Sequence, residues 1–276
     1  MNNIHSVGLV LIIINGIISV TGFLKPSVRD QFRLDVKEII YNKQYYRIIT
    51  SGFFHVNTWH LVVNMLSLYF FSGLENATGQ WIFLLIYMVS LICGNLLALL
   101  IRRNNIFYRA VGASGAISGI VFASIAIAPQ MEISFFIRFP IWIYGAVYML
   151  ITLYGVRSQK TTIGHEAHLG GALTGILIVI ILYPFLLKQN LFPILLMTIP
   201  AIAFLLIFAF KPSWMQIIRV SQEDLQQAYT IDDKYNSEKA DREKQIDELL
   251  EKINRKGINS LSAKEKKFLD DYSKRK

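Results

Sequence analysis

The sequence predicts an all-α, polytopic helical bundle in a membrane, followed by a small charged helical tail in water. Three observations carry this reading. Of the 276 residues, 53% are hydrophobic and only 17% charged, too apolar a balance for an ordinary soluble domain. The apolar residues fall in runs long enough to cross a bilayer, whose hydrocarbon core takes about 20 residues of helix. The charges are unevenly spread: residues 1–210 hold 13 Lys/Arg and 6 Asp/Glu, residues 211–276 hold 15 and 13. A membrane domain over 1–210 and an aqueous tail over 211–276 follow. The net charge of +9 sits mostly in loops between the runs. That placement suits a lipid bilayer as partner and argues against nucleic acid. The single cysteine, Cys93, excludes an internal disulfide framework.

Seven spans are predicted, over about residues 5–24, 56–74, 81–101, 110–128, 134–155, 167–187 and 191–210. The first competes with a signal peptide. No Lys or Arg precedes residue 25 and the run is long for a signal core, so it reads as a retained span. Residues 25–55 mix charges with Phe32, Leu34, Val36, Ile39, Tyr45 and Tyr46, the pattern of a segment lying among headgroups. The fifth run is the weakest, with Arg138 and Pro140 near its start. The seventh carries Pro193 and Pro200, breaks that neighbouring helices absorb.

In the tail, Ile246, Leu249, Leu250 and Ile253 recur at helical spacing, and Gly257 marks the expected stop. Ser262 with Glu265 is a capping-box pattern that would open a second helix bearing Phe268, Leu269 and Tyr272. The apolar face of such a hairpin is too small for much stability alone, so a protein partner is expected for it. A partly disordered solubilising tail is the alternative.

Polar side chains inside spans are costly and mark function by default. Three groups stand out. His60 and Asn64 lie four apart in the second span, on one helical face. Gly112-Ala113-Ser114-Gly115 opens the fourth, and Ala167-His168-Leu169-Gly170-Gly171 opens the sixth. Spans two, four and six cross in the same direction, so their N-terminal ends share one membrane face. Each group lies within about two turns of its end, roughly 5–10 Å below the surface. One shallow site can therefore collect Ser114, His168, His60 and Asn64.

A serine hydroxyl becomes a nucleophile when a base takes its proton, and an imidazole does this near neutral pH. The set predicts a Ser–His dyad, since no third carboxylate stands at the right level. Asn64, His60 and the backbone N–H of Ser114 at a helix N-terminus are candidate oxyanion donors. Gly115 and Gly119, and again Gly171 and Gly175, are small residues four apart, which lets two helices approach closely. Bland readings stand beside these: Ser114 as a packing residue, His168 as a cap, and His60 and Asn64 as interhelical hydrogen bonders. Asn15 and Asn95 read as just such hydrogen bonders. A metal reading fails on spacing. A zincin needs two histidines four apart, and the fourth residue after His165 is Leu169. His165 and Glu166 read as surface loop residues.

The three motifs in this order resemble the rhomboid intramembrane serine proteases: His60-x-x-x-Asn64, Gly112-x-Ser114-Gly115, and Ala167-His168-x-x-Gly171-x-x-x-Gly175. The resemblance covers about residues 5–187 and implies a six-helix core plus a seventh span. By it, Ser114 is the nucleophile and His168 the general base, while His60, Asn64 and Gly112 line the oxyanion and substrate side. Gly52 and His55 stand where the family tends to have loop residues near the site, and Tyr46-Arg47 stands for its Trp-Arg pair. One departure is Ser118. Well-known bacterial members have an aromatic there, packed on the catalytic imidazole. The implied substrate is a transmembrane helix with a locally unstable segment, with no metal and no organic cofactor. A multi-pass protein of the bacterial cell (inner) membrane is expected. A non-catalytic, client-binding rhomboid-like protein is the alternative. Eleven Lys/Arg in loops 25–55, 102–109 and 157–160, against Arg138 and Lys188 opposite, put the site mouth in the cytosol by the positive-inside rule. Resemblance to bacterial members puts it outside.

Overall fold

In a computed structural model the apolar runs become helices. The structure describes residues 6–134, 138–158, 164–210, 246, 249–255, 257, 260–262, 265, 266, 268 and 269. It divides into two compact units, Met1–Arg219 and Val220–Lys276.

In the first unit, α1 (Ser6–Leu24) is followed by α2 (Pro26–Phe32), β1 (Leu34–Asp35), α3 (Val36–Ile40) and α4 (Arg47–Thr50). Next come α5 (Thr58–Phe71), α6 (Leu74–Thr78), α7 (Gln80–Arg102), β2 (Arg109–Ala110) and α8 (Ser114–Ile127). The unit ends with β3 (Glu132–Ser134), β4 (Arg138–Pro140), α9 (Ile141–Ser158), α10 (His165–Leu182), α11 (Leu186–Gln189) and α12 (Leu191–Phe210). Among the described residues, four helices are long and apolar enough to cross a membrane: α1, α7, α10 and α12. The apolar helices α5, α8 and α9 complete the bundle. The protein is an integral, multi-pass membrane helical bundle.

The core is built on α7, α8 and α10. Helix α8 has 14 residues, about 21 Å at 1.5 Å per residue, well short of a hydrocarbon core of about 30 Å. It can be short because Gly115–Ala126 are all buried: its ends meet protein rather than lipid tails. Glycines set the spacing. A Cβ at Gly171 would run into the carbonyl oxygen of Gly115, and one at Gly175 into that of Gly119. On the α7 side, a Cβ at Gly170 would stand 2.9 Å from the Cα of Gly94. Among apolar surroundings this backbone proximity supplies the van der Waals contact that the hydrophobic effect cannot. Polar ties reinforce the packing. Asn15 donates to the Tyr87 hydroxyl (3.1 Å), and Asn95 to the Ile48 carbonyl (2.7 Å) and to Ser51 (3.1 Å). Glu75 accepts from the backbone N–H groups of Val7 and Gly8, 3.1 Å each, at the turn where α1 has no carbonyls of its own to offer.

Four boundaries differ from the expected spans, each for a local reason. Residues 25–55 form a folded cap, with Leu34, Val36 and Ile39 buried. Arg47, 5% exposed, organises the cap by donating to the carbonyls of Asp30 and Arg33 and to Gln44. The fourth span opens at Ser114, not 110, because Arg109 and Ala110 pair with Asp35 and Leu34 as strands. The fifth opens at Ile141, not 134: Arg138–Pro140 pairs back on Glu132–Ser134 as a hairpin, and Pro140 could not donate inside a helix. The sixth begins at His165 and stops at Leu182, just ahead of Pro184, since the residue before a proline avoids helical backbone.

In the second unit, residues 249–255 are helical. Gly257 has φ +74°, and its N–H closes on the Ile253 carbonyl at 2.8 Å, the left-handed stop that favours glycine. The Ser262 N–H donates to Glu265 (2.6 Å), whose own N–H donates to the Ser262 hydroxyl (3.3 Å), the reciprocal capping box. Lys252 joins Glu265 at 2.7 Å. Residues 211–245 and Tyr272 lie outside the described residues.

Candidate active site

The N-terminal ends of α5, α8 and α10 meet at one end of the bundle, and each delivers a polar group there. Ser114 is the first residue of α8, so its own N–H is among those that have no partner inside the helix. Gly112 turns the chain into it with φ +141°, a region other residues rarely adopt. Its N–H donates to the Ser51 carbonyl at 3.0 Å. A Cβ there would come within 2.8 Å of the His60 ring, so the backbone and the imidazole share a space that only glycine leaves open.

His168 sits one turn into α10, and its Nε2 lies 2.7 Å from Ser114 Oγ. For Nε2 to accept the serine proton, the imidazole must carry its hydrogen on Nδ1. Asn57 caps α5 by accepting from the His60 N–H at 2.9 Å. That places the His60 side chain on the wall of a cavity of about 360 Å³ that also includes Ser114, Gly112, Ser51, Asn95 and Ala167. Asn64 lies one turn further along α5 and is not among the cavity-lining residues. It is buried, and its amide nitrogen has no hydrogen-bond partner among the described residues. A buried donor left open costs free energy.

Behind this front lies a second layer built on His55, whose partners the sequence did not reveal. His55 is fully buried and its Nε2 accepts from the Ala113 N–H at 3.5 Å. Its Nδ1 must then donate to Ser19, 2.8 Å away, which in turn donates to the Phe53 carbonyl at 3.0 Å. Burial, with His60 alongside, holds His55 down to about 3, so the ring stays neutral and keeps this one-way chain. His55 also meets His60 edge to face, centroids 5.0 Å apart.

His165 and Glu166 are not loop residues. They form the first turn of α10, 6% and 0% exposed. Glu166 accepts from Arg102 Nε at 2.7 Å and pairs with a terminal nitrogen of the same guanidinium. The Tyr108 hydroxyl donates to it at 3.3 Å. Burial, with the carboxylate beside it, pushes the Tyr108 phenol well above its ordinary value, so it remains a donor. A carboxylate at a helix N-terminus also suits the helix dipole. A run read as loop by polarity is thus a buried, paired helix start.

At Ser118 the hydroxyl donates to the Ser114 carbonyl (2.8 Å) and lies 2.7 Å from the Tyr148 hydroxyl. The Tyr148 ring, on α9, stacks on the His168 imidazole with centroids 5.8 Å apart and planes 28° from parallel. The only signal for this in the sequence was the missing aromatic at 118.

A polytopic helical bundle with a serine on the wall of a cavity and a histidine in contact with that serine defines a class of membrane protein, and comparison with known proteins names it. The rhomboid domain model matches residues 42–185: the chain belongs to the rhomboid family. A second model, a family of unknown function (DUF6576), matches residues 229–275. The chain is 33% identical to Rhomboid protein 1, mitochondrial, of Saccharomyces cerevisiae over 47% of its own length and 40% of that protein's. It is 30% identical to RHOMBOID-like protein 4 of Arabidopsis thaliana over 52% and 36%. It is 28% identical to the Presenilin-associated rhomboid-like protein, mitochondrial, of Rattus norvegicus over 47% and 36%. The chain thus spans well under half the length of these relatives.

Proposed function

We propose that this rhomboid-family protein is an intramembrane serine endopeptidase that cleaves transmembrane-helix substrates near the membrane surface. The observation that carries the reading is the 2.7 Å contact of Ser114 Oγ with His168 Nε2 beside a cavity of about 360 Å³. His168 takes the serine proton as Oγ attacks the scissile carbonyl, then gives it to the leaving amine. The acyl group stays on Ser114 until water, deprotonated by the same imidazole, releases it. The Ser114 N–H, the open Asn64 amide and the His60 ring are the donors for the oxyanion, and Gly112 keeps the space beside them clear. No metal and no organic cofactor enter these steps. The Gly115/Gly119 and Gly171/Gly175 faces hold the two catalytic helices in contact. Both members of the dyad are present and touching, which favours catalysis over a purely client-binding role.

Reconstitution with a model transmembrane substrate tests this. The wild type cleaves, and Ser114→Ala and His168→Ala each lose all but background turnover. Cleavage surviving Ser114→Ala ends the serine mechanism. Client binding without cleavage in the wild type would establish the non-catalytic reading. Some of the relatives' printed names are mitochondrial or chloroplastic; for this chain we propose a bacterial cell membrane, which fractionation of the host would check. The tail is assigned a protein partner on its two capped helix ends. Deleting residues 222–276 is expected to leave turnover of the model substrate unchanged while altering what co-purifies.

A further inference from the structure

We propose that Tyr148 on α9 is a positioning residue for the general base, and that Ser118 holds it there; the inference rests on the serine-protease reading above. A hydrogen bond through Nε2 alone leaves the His168 ring free to tilt about the Oγ···Nε2 line. A second ring laid on its face removes that freedom, because offset stacking has a definite geometry. The residue four after the serine, one helical turn on, is Ser118, whose short side chain cannot supply such a face. Tyr148 does so from a different helix, at 5.8 Å and 28°.

The phenol is tethered as well as stacked. Its hydroxyl donates to Ser118 Oγ at 2.7 Å, and that oxygen donates onward to the Ser114 carbonyl at 2.8 Å. The tether therefore ends on the nucleophile's own residue, while the ring lies on the base. Ser118 is fully buried, so its small size is also what admits the phenol: a larger side chain would fill the same space. Helix α9 reaches the base by a second route. His165 meets His168 edge to face at 5.6 Å and is wedged against Gly155 of α9. The base thus meets one ring from α9 and one from its own helix, the second backed by Gly155 of α9.

The test uses the full chain in proteoliposomes with three readouts: kcat and KM for a model transmembrane substrate, the rate of Ser114 labelling by a fluorophosphonate, and the folded fraction at the assay temperature. Tyr148→Leu is expected to lower kcat and labelling about tenfold with KM and folded fraction unchanged. Tyr148→Phe breaks the hydrogen bond the two hydroxyls share, and Ser118→Ala breaks it together with the one to Ser114, so each should lower kcat roughly threefold and the double variant no further than Ser118→Ala. Wild-type kcat in Tyr148→Leu, a rise in KM alone, or additive losses in the double variant overturns the assignment. Should Tyr148→Leu fail to fold, the two milder variants and their combination decide. A wild-type chain inert to both peptide and probe would instead fell the protease reading, and this inference with it.

Discussion

Arg102, the last residue of α7, holds Glu166 in the first turn of α10, two residues ahead of His168. Their side chains are 11% and 1% exposed, so the pair is shielded from water and lies close behind the dyad. Removing one member strands the other. Glu166→Ala is expected to cost about 3–5 kcal/mol in reversible unfolding in mixed micelles, whereas the double change Arg102→Leu with Glu166→Met should cost far less. Equal losses in the two variants would refute this account of the pair.

The glycine contacts predict opposite outcomes for one kind of substitution. Gly171→Ala places a methyl against the Gly115 carbonyl and should destabilise by about 1–3 kcal/mol, with Ser114 and His168 drawn apart and labelling of Ser114 slowed. Gly16→Ala, on α1, meets nothing within 4 Å. It is expected to be neutral or stabilising by up to about 1 kcal/mol, since alanine loses less freedom in a helix. Thermal unfolding of the two variants side by side checks the contrast.

Asn64 separates stability from rate. Its amide nitrogen is buried without a partner, so Asn64→Ala removes a group that the resting protein does not use. The unfolding midpoint should hold or rise, while kcat falls about 100- to 1,000-fold, the usual loss for an oxyanion donor. A fall in stability with kcat intact would remove Asn64 from the site.

The tail carries a pH prediction. Contacts with Lys252 and Ser262 hold the Glu265 carboxyl down to about 2 against an ordinary 4.5. A depressed folded value means the capping contribution is complete above the unfolded value and fades as pH falls from about 4.5 through about 2. The protection factor of the Ser262 amide, which donates to this carboxylate, should fall over that window. Lys252→Ala should move the carboxyl back up; an unchanged titration would show that the contact does not hold it.

The contact of Ser114 with His168 was legible because lipid makes polar residues rare: in runs of Leu, Ile and Val, the two have few rivals. The glycine faces were legible for the same reason, as repeated small residues. Tyr148 was not, since Trp142, Tyr144 and Tyr154 share its run and nothing in spacing tells which ring meets an imidazole. Glu166 was misread because a charge beside a span looks solvated until its partner is known, and Arg102 is 64 residues away. The start of α8 was misplaced because hydropathy counts Ala110 toward the run that follows, while Arg109 and Ala110 pair with residues of the first loop.

The contact between Ser114 and His168 spans 54 positions of the chain. A nascent chain that has emerged only as far as α9 carries the hydroxyl and its aromatic neighbour but not the His168 imidazole. Whatever hydrolytic power the finished protein has is withheld from the translocation machinery until the sixth span is inserted beside the fourth.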